Sequence, residues 1–414
     1  MKLSHSTTTK PIGGRIKQRV SDFKVKEITL DGRTCETSFD ENGSSPTILQ
    51  TIPIQPSREF SQLHLDLEKF NVDEYNAVRI LSRFLGTSKK RLGFAGVKDK
   101  RGITSQRISI FNPDIERLQK FGSKNIKLSN PEWKNERIEI GNLTGNKFEI
   151  IIRNIELKEK ELKKTINQCL KQMKKGIPNF FGEQRFGGIR NITHVVGKNF
   201  IKKEFKKAVM LYLTSTNEKE EERIRNARIE LEKTNDFSKA LSEFPYKYRY
   251  ERIILQHLIK YPNDFIGAFR RLPKSLQYMF VHAYQSFLFN KIIEERLKEG
   301  FGLNAIKGDI LMEGMPSAPL LGFESALAEG KAGEIVQKIM QEEGIELNEF
   351  KVKEFPELSS KGASKKISLI PEQLKLLEIG EDEFNENRLK AVISFSLGKG
   401  AYATTVLREL MKND

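Results

Sequence analysis

An α+β fold is predicted by three features of the chain. The first 180 residues mix period-two apolar alternation with helical stripes. The stretch from about 185 to 366 is strongly helical, and strand character returns at 391–397, ahead of a last helix. With 414 residues there is material for two or three domains and a sizeable core.

The elements follow in order. Residues 22–28 alternate apolar Phe23 and Val25, and then apolar Ile28, with charged neighbours and are weakly strand-like. Gly32 and the Asn42-Gly43-Ser44-Ser45 run mark a long polar turn. Residues 63–67 alternate with period two and read as a strand. A helix follows, capped by Asp73, with Tyr75, Val78, Leu81, Phe84 and Leu85 as its apolar stripe and Gly86 as its stop. Residues 93–110 read as strand, tight loop, strand. Residues 137–140 and 148–152 predict a hairpin around Gly141 and Gly145, and 156–175 an amphipathic helix carrying Leu157, Leu162, Ile166 and Leu170. In the helical middle, Tyr278, Phe280, Tyr284, Phe287 and Phe289 recur at helical spacing, which favours core packing over a base-stacking surface. A short strand is expected at 307–313, a helix at 330–343, a strand at 391–397, a turn at Gly398–Gly400 and a helix at 401–411.

Composition narrows the function. Lys and Arg number 71 against 55 Asp and Glu, a formal charge of +16, which points to an anionic partner, nucleic acid being the usual one. No 18-residue apolar run, lipidation motif or apolar leader is visible, so no membrane association is expected and the cytoplasm is the expected compartment. Cys35 and Cys169 are too few for a zinc site or a disulfide framework, and the five histidines show no ligand spacing. With no Walker A loop and no dinucleotide glycine fingerprint, neither a nucleotide cofactor nor a metal is expected.

The most informative stretch is 93–106. Asp99 stands between Lys98 and Lys100 in a turn bracketed by Gly93, Gly96 and Gly102. Glycines allow a positive φ or a close backbone approach. A carboxylate held on such a loop beside positive charge is suited to covalent catalysis.

Gly96-x-Lys98-Asp99-Lys100-x-x-x-Thr104-x-Gln106 resembles the signature of TruD-type tRNA pseudouridine synthases. Further segments are similar to the same family in the same order: Lys17 with Asp22-Phe23-x-Val25-x-Glu27, Gly145-Asn146-x-Phe148, the run Pro178-Asn179-Phe180-Phe181-Gly182-x-Gln184-Arg185-Phe186-Gly187, and Phe395-Ser396-Leu397 through Gly400, Tyr402 and Arg408-Glu409-Leu410. Ala283-x-x-Ser286-x-Leu288-Phe289-Asn290 is a weaker match. Together they extend from Lys17 to Leu410. The chain departs from the pattern at Gly102, where the family often has alanine, and at Gly398, where it often has proline. Both are expected to leave the chemistry intact. The middle segment is longer than in bacterial relatives.

The resemblance implies a catalytic domain on a mixed, largely antiparallel sheet, formed by residues 1–182 plus 367–414 and interrupted by a mainly helical α/β insertion (TRUD) domain at 183–366. It implies isomerisation of a tRNA uridine to pseudouridine, at uridine 13 of the D arm, with no cofactor. Asp99 is the implied catalytic residue; attack on C1′ and removal of the C2′ proton are both compatible with it. Lys17 is the implied ion-pair partner of Asp99. Asn146 is expected to orient Asp99 or bind the uracil edge, and Phe148 to stack on the flipped base or fill the strand core. Lys98 is expected to support the site or meet a phosphate, Thr104 and Gln106 to brace the loop, and Lys100, Arg101, Gln184, Arg185 and Arg408 to contact RNA. The cleft between the domains is the expected RNA site, and a monomer the expected state. The competing readings are a non-catalytic RNA-binding or RNA-folding protein on the same scaffold, which an intact Asp99 loop disfavours, and a methyltransferase or nuclease, whose motifs are absent.

Overall fold

The computed structural model describes residues 3–413. They divide into two compact units, one of His5–Ile177 with residues 370–413, the other of Pro178–Leu369 with Leu3 and Ser4.

The first unit is built on an eight-stranded sheet. Its strands are β1 (Phe23–Ile28), β2 (Gln62–Phe70), β3 (Leu92–Phe94), β4 (Ile103–Phe111), β5 (Ile126–Lys134), β6 (Gly145–Ile155) and the two late strands Glu372–Glu381 and Leu389–Gly398. From one edge the order is Glu372–Glu381, Leu389–Gly398, β6, β1, β4, β2, β5, with β3 beside β4. Only β1 and β4 pair in parallel; every other named pairing is antiparallel. The mixed, largely antiparallel sheet implied by the family resemblance is therefore present.

Local chemistry explains most of these elements. In β1 the inward positions are Phe23, Val25 and Glu27. Helix α1 (Glu74–Phe84) starts where the Asp73 carboxylate accepts the Asn76 N–H, and Gly86 at φ +62° follows its end. Its buried face carries Ala77, Val78 and Leu81, whereas Tyr75 and Phe84, expected in the stripe, are exposed. The expected hairpin at 137–152 does not form. β6 is paired on its two sides by β1 and by Leu389–Gly398, and residues 135–144 are irregular. There Ile138 and Leu143 are buried against Ala95, and the Ile138 N–H donates to Ser109 Oγ, so this segment packs beside the Asp99 loop instead of extending a ladder.

The second unit is helical, packed around the helix Lys274–Lys298. Phe280, Tyr284 and Phe289 are buried there as core residues, while Tyr278 is exposed. A small antiparallel sheet joins Ile310–Met312, Met315–Leu320 and Ala363–Lys366. No helix among the described residues is long and apolar enough to cross a membrane. Cys35 and Cys169 are both free and buried.

Candidate active site

β3 and β4 pair antiparallel, with Leu92 opposite Ile110 and Phe94 opposite Ile108, so residues 95–102 form the loop between them. None of its three bracketing glycines has a positive φ, and close approach explains two of them, Gly93 and Gly102. A Cβ on Gly102 would sit 2.6 Å from the Phe23 carbonyl oxygen, and one on Gly93 would sit 2.3 Å from that of Ile138. Nothing in the structure accounts for glycine at 96.

At the loop's tip the Lys17 ammonium donates to Asp99 Oδ1 at 2.9 Å. The same ammonium lies 3.9 Å from the centroid of the Phe23 ring, which holds it from a second side. The Asp99 side chain keeps 41% of its surface open and that of Lys17 only 19%. The carboxylate is thus fixed by a cation yet accessible to a ligand.

Lys98 points the other way. Its ammonium is buried and donates to Glu27 Oε2 at 2.6 Å, so it is not presented to a phosphate. The reason is a gap in the ladder. β1 leaves β4 after the pair Lys26–Ser105, and β3 joins β4 at Ile108. The Arg107 N–H between them donates to Glu27 Oε1 at 3.1 Å. Burial pushes the Glu27 carboxyl above its ordinary value; Lys98 and the Arg107 N–H oppose that shift only in part. Next to it, the Glu74 carboxylate accepts from Lys69 Nζ at 2.7 Å and from Gln106 Nε2 at 2.7 Å. All of these side chains except Lys98 are fully enclosed. Gln106 therefore braces α1 against the sheet and makes no bond to the loop.

Strand register sets the rest of this face, because residues directly across a ladder point to the same side. Val25 lies between Thr104 and Phe148, and Glu27 is opposite Asn146. Phe148 is mostly buried, edge-on to Phe23 and stacked on Phe395 at 5.3 Å between centroids. Asn146 Oδ1, Thr104 Oγ1 and Gln106 Oε1 are buried with no hydrogen-bond partner among the described residues. Such oxygens call for water or a ligand to satisfy them.

The remaining candidates scatter. Lys100 is exposed, and Arg101 turns back onto the chain near Lys17. Arg408 lies on the helix Ala403–Met411 beside His5 and Glu409. Gln184 and Arg185 belong to the second unit, Gln184 exposed and Arg185 donating to Ser286 Oγ. Sequence reasoning missed Glu27, Glu74 and Lys69 as parts of the platform. A signal existed for Glu27, a carboxylate at the third inward place of an alternating strand. Among the described residues no cluster of three or more His, Cys, Asp or Glu has the makings of a metal site. What the geometry offers is one accessible carboxylate beside a fixed cation, an aromatic row, and unsatisfied polar oxygens on the same sheet face.

The chain as a whole is similar to known proteins. The family model for tRNA pseudouridine synthase D (TruD) matches residues 2–314 and 312–410. The chain is 38% identical to a Methanococcoides burtonii protein described as a tRNA pseudouridine synthase D, over 99% of this chain and 95% of that one. It is 39% identical to one so described from Methanosarcina acetivorans, with the same coverage. Among solved structures it resembles the crystal structure of a Methanosarcina mazei protein described as a tRNA pseudouridine synthase D (TruD), with a TM-score of 0.80 and 36% identity, covering 99% of this chain and 96% of that one.

Proposed function

The chain belongs to the tRNA pseudouridine synthase D family, whose members are isomerases acting on tRNA, and from that premise we propose that Asp99 is the catalytic residue and uridine 13 of the D arm the target. The observation that carries the proposal is the Lys17–Asp99 contact at 2.9 Å on an otherwise open loop. A carboxylate so placed attacks C1′ of the ribose or takes the C2′ proton, the glycosidic bond breaks, and the freed uracil rejoins through C5. Lys17 holds the carboxylate aimed. The unsatisfied oxygen of Asn146 is available to the uracil edge, and the Phe23–Phe148–Phe395 row packs on the same sheet face. A uridine within folded RNA must leave its stack to reach such a site. The formal charge of +16 suits binding through phosphates, in the cytoplasm where tRNA is found.

The test is tritium release from tRNA transcripts labelled at uracil C5, since forming the new C–C bond expels that hydrogen. Wild type should release one equivalent, Asp99→Ala none while still binding tRNA, and a transcript with cytidine at position 13 none with either. Release by Asp99→Ala would overturn the role of Asp99. Full release from the position-13 variant would overturn the target.

A further inference from the structure

Arg101 lies two residues beyond Asp99, and its guanidinium turns back onto the chain. Nε donates to the Lys17 carbonyl oxygen at 2.9 Å and Nη2 to that of Gln18 at 2.9 Å. The backbone gripped in this way is unusual. Lys17 has φ +59°, in the left-handed region that side-chain-bearing residues enter only at a cost. In that conformation its amine meets both Asp99 Oδ1 and the Phe23 ring. Loop and segment are therefore fastened twice, in opposite senses. Lys17 reaches from the segment to the loop's carboxylate, and Arg101 reaches from the loop to the segment's carbonyls. On its other flank the segment is held by Asn385, whose Nδ2 donates to Gln18 Oε1 at 3.0 Å.

We propose that Arg101 is a positioning residue, which locks the Lys17–Gln18 backbone in its left-handed turn and so delivers the Lys17 ammonium to Asp99. The inference rests on Asp99 being the reacting carboxylate. It departs from the expectation that Arg101 contacts RNA, because the Nε and Nη2 donors of its planar fork, the pair that grips a phosphate, are engaged by backbone carbonyls. It also explains how a costly conformation persists at an exposed site, since the surrounding bonds over-determine it.

The experiment compares wild type, Arg101→Met, Arg101→Lys, Lys17→Met and the Lys17→Met/Arg101→Met double variant. It measures the single-turnover rate of tritium release at saturating enzyme, tRNA affinity across a salt series, and the thermal midpoint. Arg101→Met should slow the saturated step about 10- to 100-fold, the scale expected for a misplaced reacting group. Its tRNA affinity and salt slope should stay as in wild type. The double variant should be no slower than Lys17→Met, because a residue acting through Lys17 has nothing left to position. Arg101→Lys keeps the charge but not the fork, and should also be slow. Multiplying losses in the double variant with an unchanged midpoint would overturn the inference. So would a wild-type rate for Arg101→Lys together with weaker binding and a salt slope lower by about one for Arg101→Met, which marks a phosphate contact. If Lys17→Met is slow and Arg101→Met is not, the positioning role alone fails. If Lys17→Met and Asp99→Ala both keep the wild-type rate, the reading of the site fails and takes this inference with it.

Discussion

Replacing Lys98 with methionine tests the platform beneath Asp99. The wild-type ammonium lies 2.6 Å from Glu27 Oε2, and the Glu27 side chain has no exposed surface. Without Lys98 the carboxylate retains only the Arg107 N–H. Breaking one side of a buried ion pair costs about 3–5 kcal/mol. Protonating Glu27 limits that cost, because a neutral carboxyl tolerates burial. From an ordinary value of 4.5, neutralising it takes about 5 kcal/mol at pH 8 and about 2 kcal/mol at pH 6, at ~1.4 kcal/mol per unit. The loss in Lys98→Met should therefore lie near 3–5 kcal/mol at pH 8 and shrink to about 2 kcal/mol at pH 6. The sign follows from burial. A carboxyl raised in the folded state favours folding below its unfolded value, and that contribution is lost as pH rises through the folded value. Urea unfolding followed by the fluorescence of Trp133, the single tryptophan, in β5 of the same sheet, reads this directly. The Lys98→Met/Glu27→Gln double variant should recover most of the loss, since no charge is left buried. A loss that ignores pH, or a double variant as unstable as the single one, would refute the reasoning.

Gly102→Ala should destabilise the sheet unit by about 1–3 kcal/mol and slow tritium release, because its methyl would meet the Phe23 carbonyl at 2.6 Å; a midpoint and rate equal to wild type would show that the strand yields. Arg153 holds Asp22, Asp382 and Glu383; its hydrogen bond is the main cause of Glu383 lying at about 2, and Asp382 is also lowered, burial opposing and its hydrogen bonds prevailing. Stability from Glu383 and Asp382 is present above their ordinary values and is lost as pH falls from about 4.5 towards 2, so acid titration of Arg153→Met should be flatter than that of wild type. Burial pushes both the Cys35 and the Cys169 thiol up, so iodoacetamide at pH 8 should label neither in the native protein and both in urea, as mass spectrometry would show.

Several features were legible because they are encoded within a few residues. The Asp73 cap and the Gly86 stop bound α1, as their side-chain and backbone preferences require. The strand–loop–strand around Asp99 followed from glycines flanking an alternating run, and the strand Leu389–Gly398 from an apolar one. Pattern reading failed where partner choice mattered. Residues 137–140 look extended, but both sides of β6 are taken, by β1 and by Leu389–Gly398, and Ile138 is buried beside Ala95 instead. The inward place of Glu27 in β1 is not visible in an apolar pattern, because a carboxylate rarely faces a core.

By itself, then, the sequence determined the mixed strand and helix content, the basic character and the loop that presents Asp99. Tertiary structure decided what surrounds that carboxylate. The parallel β1–β4 pairing brings residues some eighty positions apart into register, and only then does Glu27 meet Lys98 and the Arg107 N–H, while Lys17 and Arg101 interlock. Periodicity and capping act over one turn or one strand, so a single segment reveals them. An ion pair between distant segments depends on strand order, register and burial, which exist only once the sheet has formed.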